Sequence, residues 1–63
     1  MAVYFETYRD VFMEISYLEE GGCIAICNDP IEPGFFVSRV CATPREAFDD
    51  LKNTLDRVYY DLK

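Results

Sequence analysis

Three cysteines carry most of the reactive chemistry this sequence has to offer. Two of them, Cys23 and Cys27, stand four residues apart in the stretch Glu19-Glu20-Gly21-Gly22-Cys23-Ile24-Ala25-Ile26-Cys27-Asn28. A structural zinc needs about four Cys and His ligands. The chain has no histidine, and Cys-x3-Cys is not the Cys-x2-Cys spacing of a zinc knuckle, so neither a metal nor a cofactor is expected. A disulfide between residues i and i+4 of one extended strand is geometrically poor. Cys23 and Cys27 are therefore read as small hydrophobes on one face of a strand, with Cys41 packed in the same way.

Catalysis lacks its usual parts. Without histidine the commonest general base is missing, and no Ser-x-x-Lys or glycine-flanked serine supplies a nucleophile with its partner. The paired acids Glu19-Glu20 and Asp49-Asp50 belong to side chains that diverge on strands and helices, which makes them solvated surface rather than a cation site. Gly21-Gly22 follows two acids that would repel a phosphate. The sequence does not read as an enzyme.

Its charge points to a binding role. Twelve Asp and Glu stand against six Lys and Arg, a formal net charge of −6. Such a field repels phosphate backbones and attracts basic partners, so direct nucleic-acid binding is not expected. No apolar run approaches the roughly 18 residues of a membrane span, and Ala2-Val3-Tyr4 has no leader character. A cytoplasmic protein with reduced thiols is expected.

Positioning these residues falls to a few elements within one domain, residues 1–63. Thr43-Pro44-Arg45-Glu46 combines an N-cap, a first-turn proline and a capping-box glutamate. From there Ala47, Phe48, Leu51, Leu55, Val58 and Leu62 form one apolar stripe, predicting a helix over 44–63. Residues 23–28 and 35–42 are short apolar runs bounded by Gly and Pro, and read as strands. In the second, Phe35, Val37, Arg39 and Cys41 oppose Phe36, Ser38 and Val40. Both faces of 23–28 are apolar, which calls for cover on two sides while the helix can supply one.

Residues 2–18 fit two templates. Tyr4, Phe5, Tyr8, Val11, Phe12, Ile15 and Leu18 make a helical stripe. The β-rich composition, with Val11, Met13, Ile15 and Tyr17 alternating against Glu14 and Ser16, favours strands over about 2–8 and 11–18. Arg9-Asp10 then marks a turn or bulge between them, and Glu20-Gly21-Gly22 the hairpin that follows. The fold class is accordingly α+β, an antiparallel sheet of three to four strands on one C-terminal helix, in the order β-β-β-β-α.

The order of strand, Leu18-Glu19-Glu20-Gly21-Gly22 turn, strand from Cys23-Ile24-Ala25, connection ending Pro33-Gly34, strand, and Thr43-Pro44-Arg45-Glu46-Ala47 helix start resembles the N-terminal domain of HicB-like antitoxins across residues 11–63. That resemblance implies a small, often dimeric unit that binds and blocks a basic RNA-cleaving toxin. Two departures stand out. Glu32-Pro33-Gly34-Phe35 replaces the family's proline-glycine-cysteine segment, and no DNA-binding module follows Lys63, so operator binding is not expected.

The resulting expectation is a protein-binding module that sequesters a small basic partner through Glu14, Glu19, Glu20, Asp29 and Glu32. The aromatic excess adds a homodimer, with Phe35, Phe36, Val37, Tyr59 and Tyr60 at its interface. Two alternatives stand beside it: a viral or phage-type inhibitor that mimics nucleic acid by its acidity, and a structural or ligand-binding homodimer.

Overall fold

The computed structural model describes residues 4–60. Four strands, β1 (Phe5–Tyr8), β2 (Val11–Tyr17), β3 (Cys23–Asn28) and β4 (Phe35–Val37), precede helix α1 (Pro44–Leu55) and a wider π-helical turn, Asp56–Tyr60. The strands form one antiparallel sheet in chain order, β1-β2-β3-β4. The expected α+β class and β-β-β-β-α order are the observed ones. Residues 2–3 of the first expected strand and 61–63 of the expected helix lie outside the described residues.

Alternation decides the opening segment. In β2, Val11, Met13 and Ile15 are buried while Phe12 and Glu14 are exposed, the period of a strand with one covered face. The competing helical stripe is divided by this arrangement, since Phe5 and Phe12 face away from Val11 and Ile15. Tyr8 pairs with Val11 across a two-residue turn in which Arg9 and Asp10 both have positive φ, 52° and 64°, the I′ geometry that matches strand twist.

Helix α1 begins at the expected cap, where the Glu46 N–H donates to Thr43 Oγ1 at 3.3 Å. Ala47, Phe48, Leu51 and Leu55 press onto Val11, Met13 and Ile15 of β2 and Cys23, Ala25 and Cys27 of β3, and these ten are the buried apolar core among the described residues. The cysteines Cys23 and Cys27 thus share one buried face of β3, as the strand reading requires, and that face is the one the helix covers. The expected stripe fails at Val58, which is 53% exposed. The π-helical turn widens the helix after Leu55, carrying Val58 outward and bringing Tyr59 against the core in its place.

The expected strand 35–42 is also cut short. Regular pairing beyond Ile26↔Val37 would set Val40 opposite Cys23, but Cys41 stands there instead, so one extra residue is accommodated as a bulge. Ser38 makes this workable. Its buried hydroxyl accepts the Ala25 N–H at 2.8 Å and donates to the Arg39 carbonyl at 2.8 Å, while its own N–H donates to the Ala25 carbonyl at 2.9 Å. Beyond the bulge the faces invert, so Val40 is exposed and Cys41 turns toward the core. Ser38→Ala leaves the Ala25 amide without its acceptor and is expected to cost about 1–3 kcal/mol. Its urea midpoint should fall at unchanged m-value; a midpoint equal to wild type would show that water replaces the hydroxyl freely.

Candidate protein-interaction face

A single helix covers one side of the sheet, and residues of alternate register fill the other. Phe5 and Thr7 of β1, Phe12, Glu14 and Ser16 of β2, Ile24 and Ile26 of β3, and Phe35 and Val37 of β4 share that outer side through the pairs Phe5↔Glu14, Glu14↔Ile26 and Ile26↔Val37. Phe5 and Phe12 are each 56% exposed and stack with ring centroids 5.3 Å apart. Phe35 is 69% exposed and Val37 46%, with Ile24 and Ile26 half-buried between strands. Contiguous exposed apolar surface of this kind marks interaction sites in folded proteins.

Glu14 lies at the middle of this face, flanked along β2 by Phe12 and Ser16 and across strands by Phe5 and Ile26. Among the described residues no cation pairs with it. Four of the basic side chains are committed elsewhere. Arg9 pairs with Asp56 at 3.0 Å, Arg39 with Asp50 at 3.1 Å, Arg45 with Glu6 and Asp49 at 3.7 Å, and Lys52 with Glu6. At one end the face runs into a depression lined by Arg9, Asp10, Val11, Phe12, Asn28, Asp29 and Pro30.

The other expected partner-binding acids are dispersed. Glu19 and Glu20 sit in the β2–β3 turn, while Asp29 and Glu32 sit in the β3–β4 loop, at the opposite end of a strand roughly 20 Å long. Asp29 is also occupied. Its Oδ1 accepts the Ile31 N–H at 2.8 Å, the Glu32 N–H at 2.9 Å and the Tyr59 hydroxyl at 2.5 Å, which makes it the organiser of its own loop.

The residues expected at a dimer interface divide as well. Phe35 and Val37 lie on the open face, but Phe36 is turned to the helix side, where it meets Tyr59 edge-on at 6.0 Å. Tyr60 lies under the Arg9 guanidinium at 4.3 Å. Phe12, which the sequence reading did not count on this face, is one of its largest members. Strand alternation was the available signal, since Phe12 shares parity with Glu14.

The Tyr59–Asp29 contact has titration consequences of definite sign. Hydrogen bonding to the anionic Asp29, reinforced by burial, pushes the Tyr59 phenol up to about 12. A raised acid of this kind stabilises the fold fully below the ordinary tyrosine range and loses that contribution as pH rises through about 12. Donation from the Glu32 amide first, then from Tyr59 and the Ile31 amide, holds Asp29 below its ordinary 3.8; its contribution is present above that value and lost as pH falls through the lowered one. In an ultraviolet titration a tyrosine phase should fall near pH 12. Tyr59→Phe should delete that phase, and a curve unchanged by the substitution would refute the assignment.

Among the described residues no three His, Cys, Asp or Glu converge to hold a metal ion, and no helix is long and apolar enough to cross a membrane. No protein-family model matches the chain, and no curated protein or solved structure is detectably similar to it.

Proposed function

We propose that this chain is a non-enzymatic binding module whose outer sheet face seats a small basic protein, in the manner of an antitoxin that occupies and blocks an RNA-cleaving toxin. The observation that carries this reading is the uncovered face itself, where Phe5, Phe12, Ile26, Phe35 and Val37 surround one unpaired carboxylate, Glu14. The sheet has one helical layer where a strand apolar on both faces calls for two. A partner supplies the second.

Charge selects which partner. The chain carries a formal −6, and the open face has a carboxylate at its middle and ends in a depression edged by Asp10 and Asp29. A second copy laid on that face would bring a second net charge of −6 against it. A basic protein would instead bring a lysine or arginine into the apolar surround, where ion pairing is less screened than in open solvent. The HicB-like order of elements favours a toxin as that basic partner.

The test is capture from extract of the cells that encode the protein, with tagged wild type and Glu14→Lys run side by side at low salt and eluted by a salt step. A small basic protein eluting from wild type and absent from Glu14→Lys is the expected result, followed by loss of that protein's RNA cleavage when the two are mixed. An empty eluate, or equal recovery on both baits, would overturn the reading.

A further inference from the structure

The bulge after β4 does more than end a strand. It places Cys41 directly opposite Cys23 in a hydrogen-bonded antiparallel pair, the Cys23 N–H donating to the Cys41 carbonyl at 2.9 Å and the Cys41 N–H to the Cys23 carbonyl at 2.8 Å. Residues exchanging both bonds have Cα atoms about 5.5 Å apart with side chains on the same face, inside the separation a disulfide spans. Cys41 is part-exposed at the edge of the core and Cys23 is 1% exposed behind it. Cys27 has no such neighbour, since it lies opposite Phe36 and about 13 Å along the strand from Cys23.

We propose that Cys23 and Cys41 form a thiol–disulfide site, oxidised by a low-molecular-weight disulfide such as oxidised glutathione, with Cys41 as the entry thiol and Cys23 as the resolving one. The Cys41 thiolate attacks one sulfur of the glutathione disulfide, forming a mixed disulfide and expelling one glutathione thiolate. The Cys23 thiolate then attacks the Cys41 sulfur, closing the protein disulfide and expelling the second. The two thiol protons end on the two glutathiones, which leave as thiols, so the protein loses two hydrogens and two electrons and the glutathione disulfide gains them. Only the first step needs access from solvent. The second occurs across the strand pair.

The surroundings set the pace of this chemistry. Burial, followed by the charges of Asp50 and Glu46, holds the Cys41 thiol above its ordinary range, so the reaction accelerates as pH rises and is slow at neutrality. Gly22 lies beside the pair at φ +83°, and a Cβ there would stand 3.1 Å from the Cys41 carbonyl oxygen. The backbone of 40–41 is therefore already drawn tightly against the β2–β3 turn. The crosslink would fix the segment between β4 and α1 to the sheet.

The folded protein, incubated with excess oxidised glutathione at mildly alkaline pH, acid-quenched and alkylated, would be mapped by peptide mass spectrometry. The expected result is one intramolecular Cys23–Cys41 disulfide with Cys27 alkylated, the same crosslink in Cys27→Ser, and glutathione retained on Cys41 in Cys23→Ser. Glutathione stalled on Cys41 in wild type, a disulfide that includes Cys27, a disulfide between chains, or a crosslink formed only after denaturation would each overturn the proposal. The wild-type map decides the matter even where a serine variant folds poorly.

Discussion

Leu51→Ala is expected to lower the stability of the chain by about 2–5 kcal/mol. Leu51 is fully buried beneath β2 and β3 in a core of ten residues. Truncating such a leucine removes its burial and leaves a cavity, at a combined cost of about 2–5 kcal/mol. A chain of this length has roughly 3–9 kcal/mol of stability in total, on the usual scaling per residue. One side chain therefore accounts for a large share of the margin, because the buried residues described form one cluster. Val58→Ala, at a site 53% exposed on the same helical stretch, is the control and should change stability by about 0.5 kcal/mol or less. Urea denaturation followed by circular dichroism reads both. Equal midpoints for the two variants would mean that α1 is not held by the core described above.

The second large effect concerns the open face. Phe12→Asp is expected to leave the free protein folded while weakening its complex with the basic partner by roughly 30-fold or more. The first half follows from exposure, since the ring loses little beyond its stacking on Phe5, about 1 kcal/mol. The second follows from position. Phe12 adjoins Glu14 along β2 and lines the depression at the end of the face, so it lies within the proposed contact, where truncating an aromatic anchor typically costs 2 kcal/mol or more. Isothermal titration with the purified partner gives the affinity, and thermal denaturation verifies the fold. Undiminished affinity in a folded Phe12→Asp would move the contact off this face, and a complex insensitive to salt would remove the role given to Glu14.

Much of the architecture could be read from residue types alone. The cap at Thr43, the stripe through Leu55, the inward set Cys23, Ala25 and Cys27, and the turn at Arg9-Asp10 each rest on local rules that tertiary packing here respects. Two departures came from single residues acting outside those rules. A hydroxyl at Ser38 that can replace a ladder acceptor allows a bulge, and no periodicity in Phe35–Cys41 records it. The widening after Leu55 turns Tyr59 inward to reach Asp29, a partner thirty residues distant that helical spacing cannot anticipate. Site residues were harder to read because acidity marks surface without marking which surface. Of the five acids singled out, Glu14 alone lies amid the apolar side chains of the open face. Asp29 is used internally.

The strand order has a consequence for how the molecule assembles and comes apart. Each strand pairs with its neighbour in the chain through a short connection, so every hairpin can close on the microsecond scale without waiting for a distant segment. The contacts that lock the two ends together are of another kind: Tyr8 and Arg9 reach Asp56 across 48 and 47 residues, at 2.8 and 3.0 Å. These are closed last and lost first. Native-state hydrogen exchange should therefore grade along the chain, with amides of β2 and β3 surviving until global unfolding. Those of the 56–60 turn, backed by the Tyr59–Phe36 and Tyr60–Arg9 contacts and two carboxylates, exchange through a local opening that leaves the sheet and α1 intact.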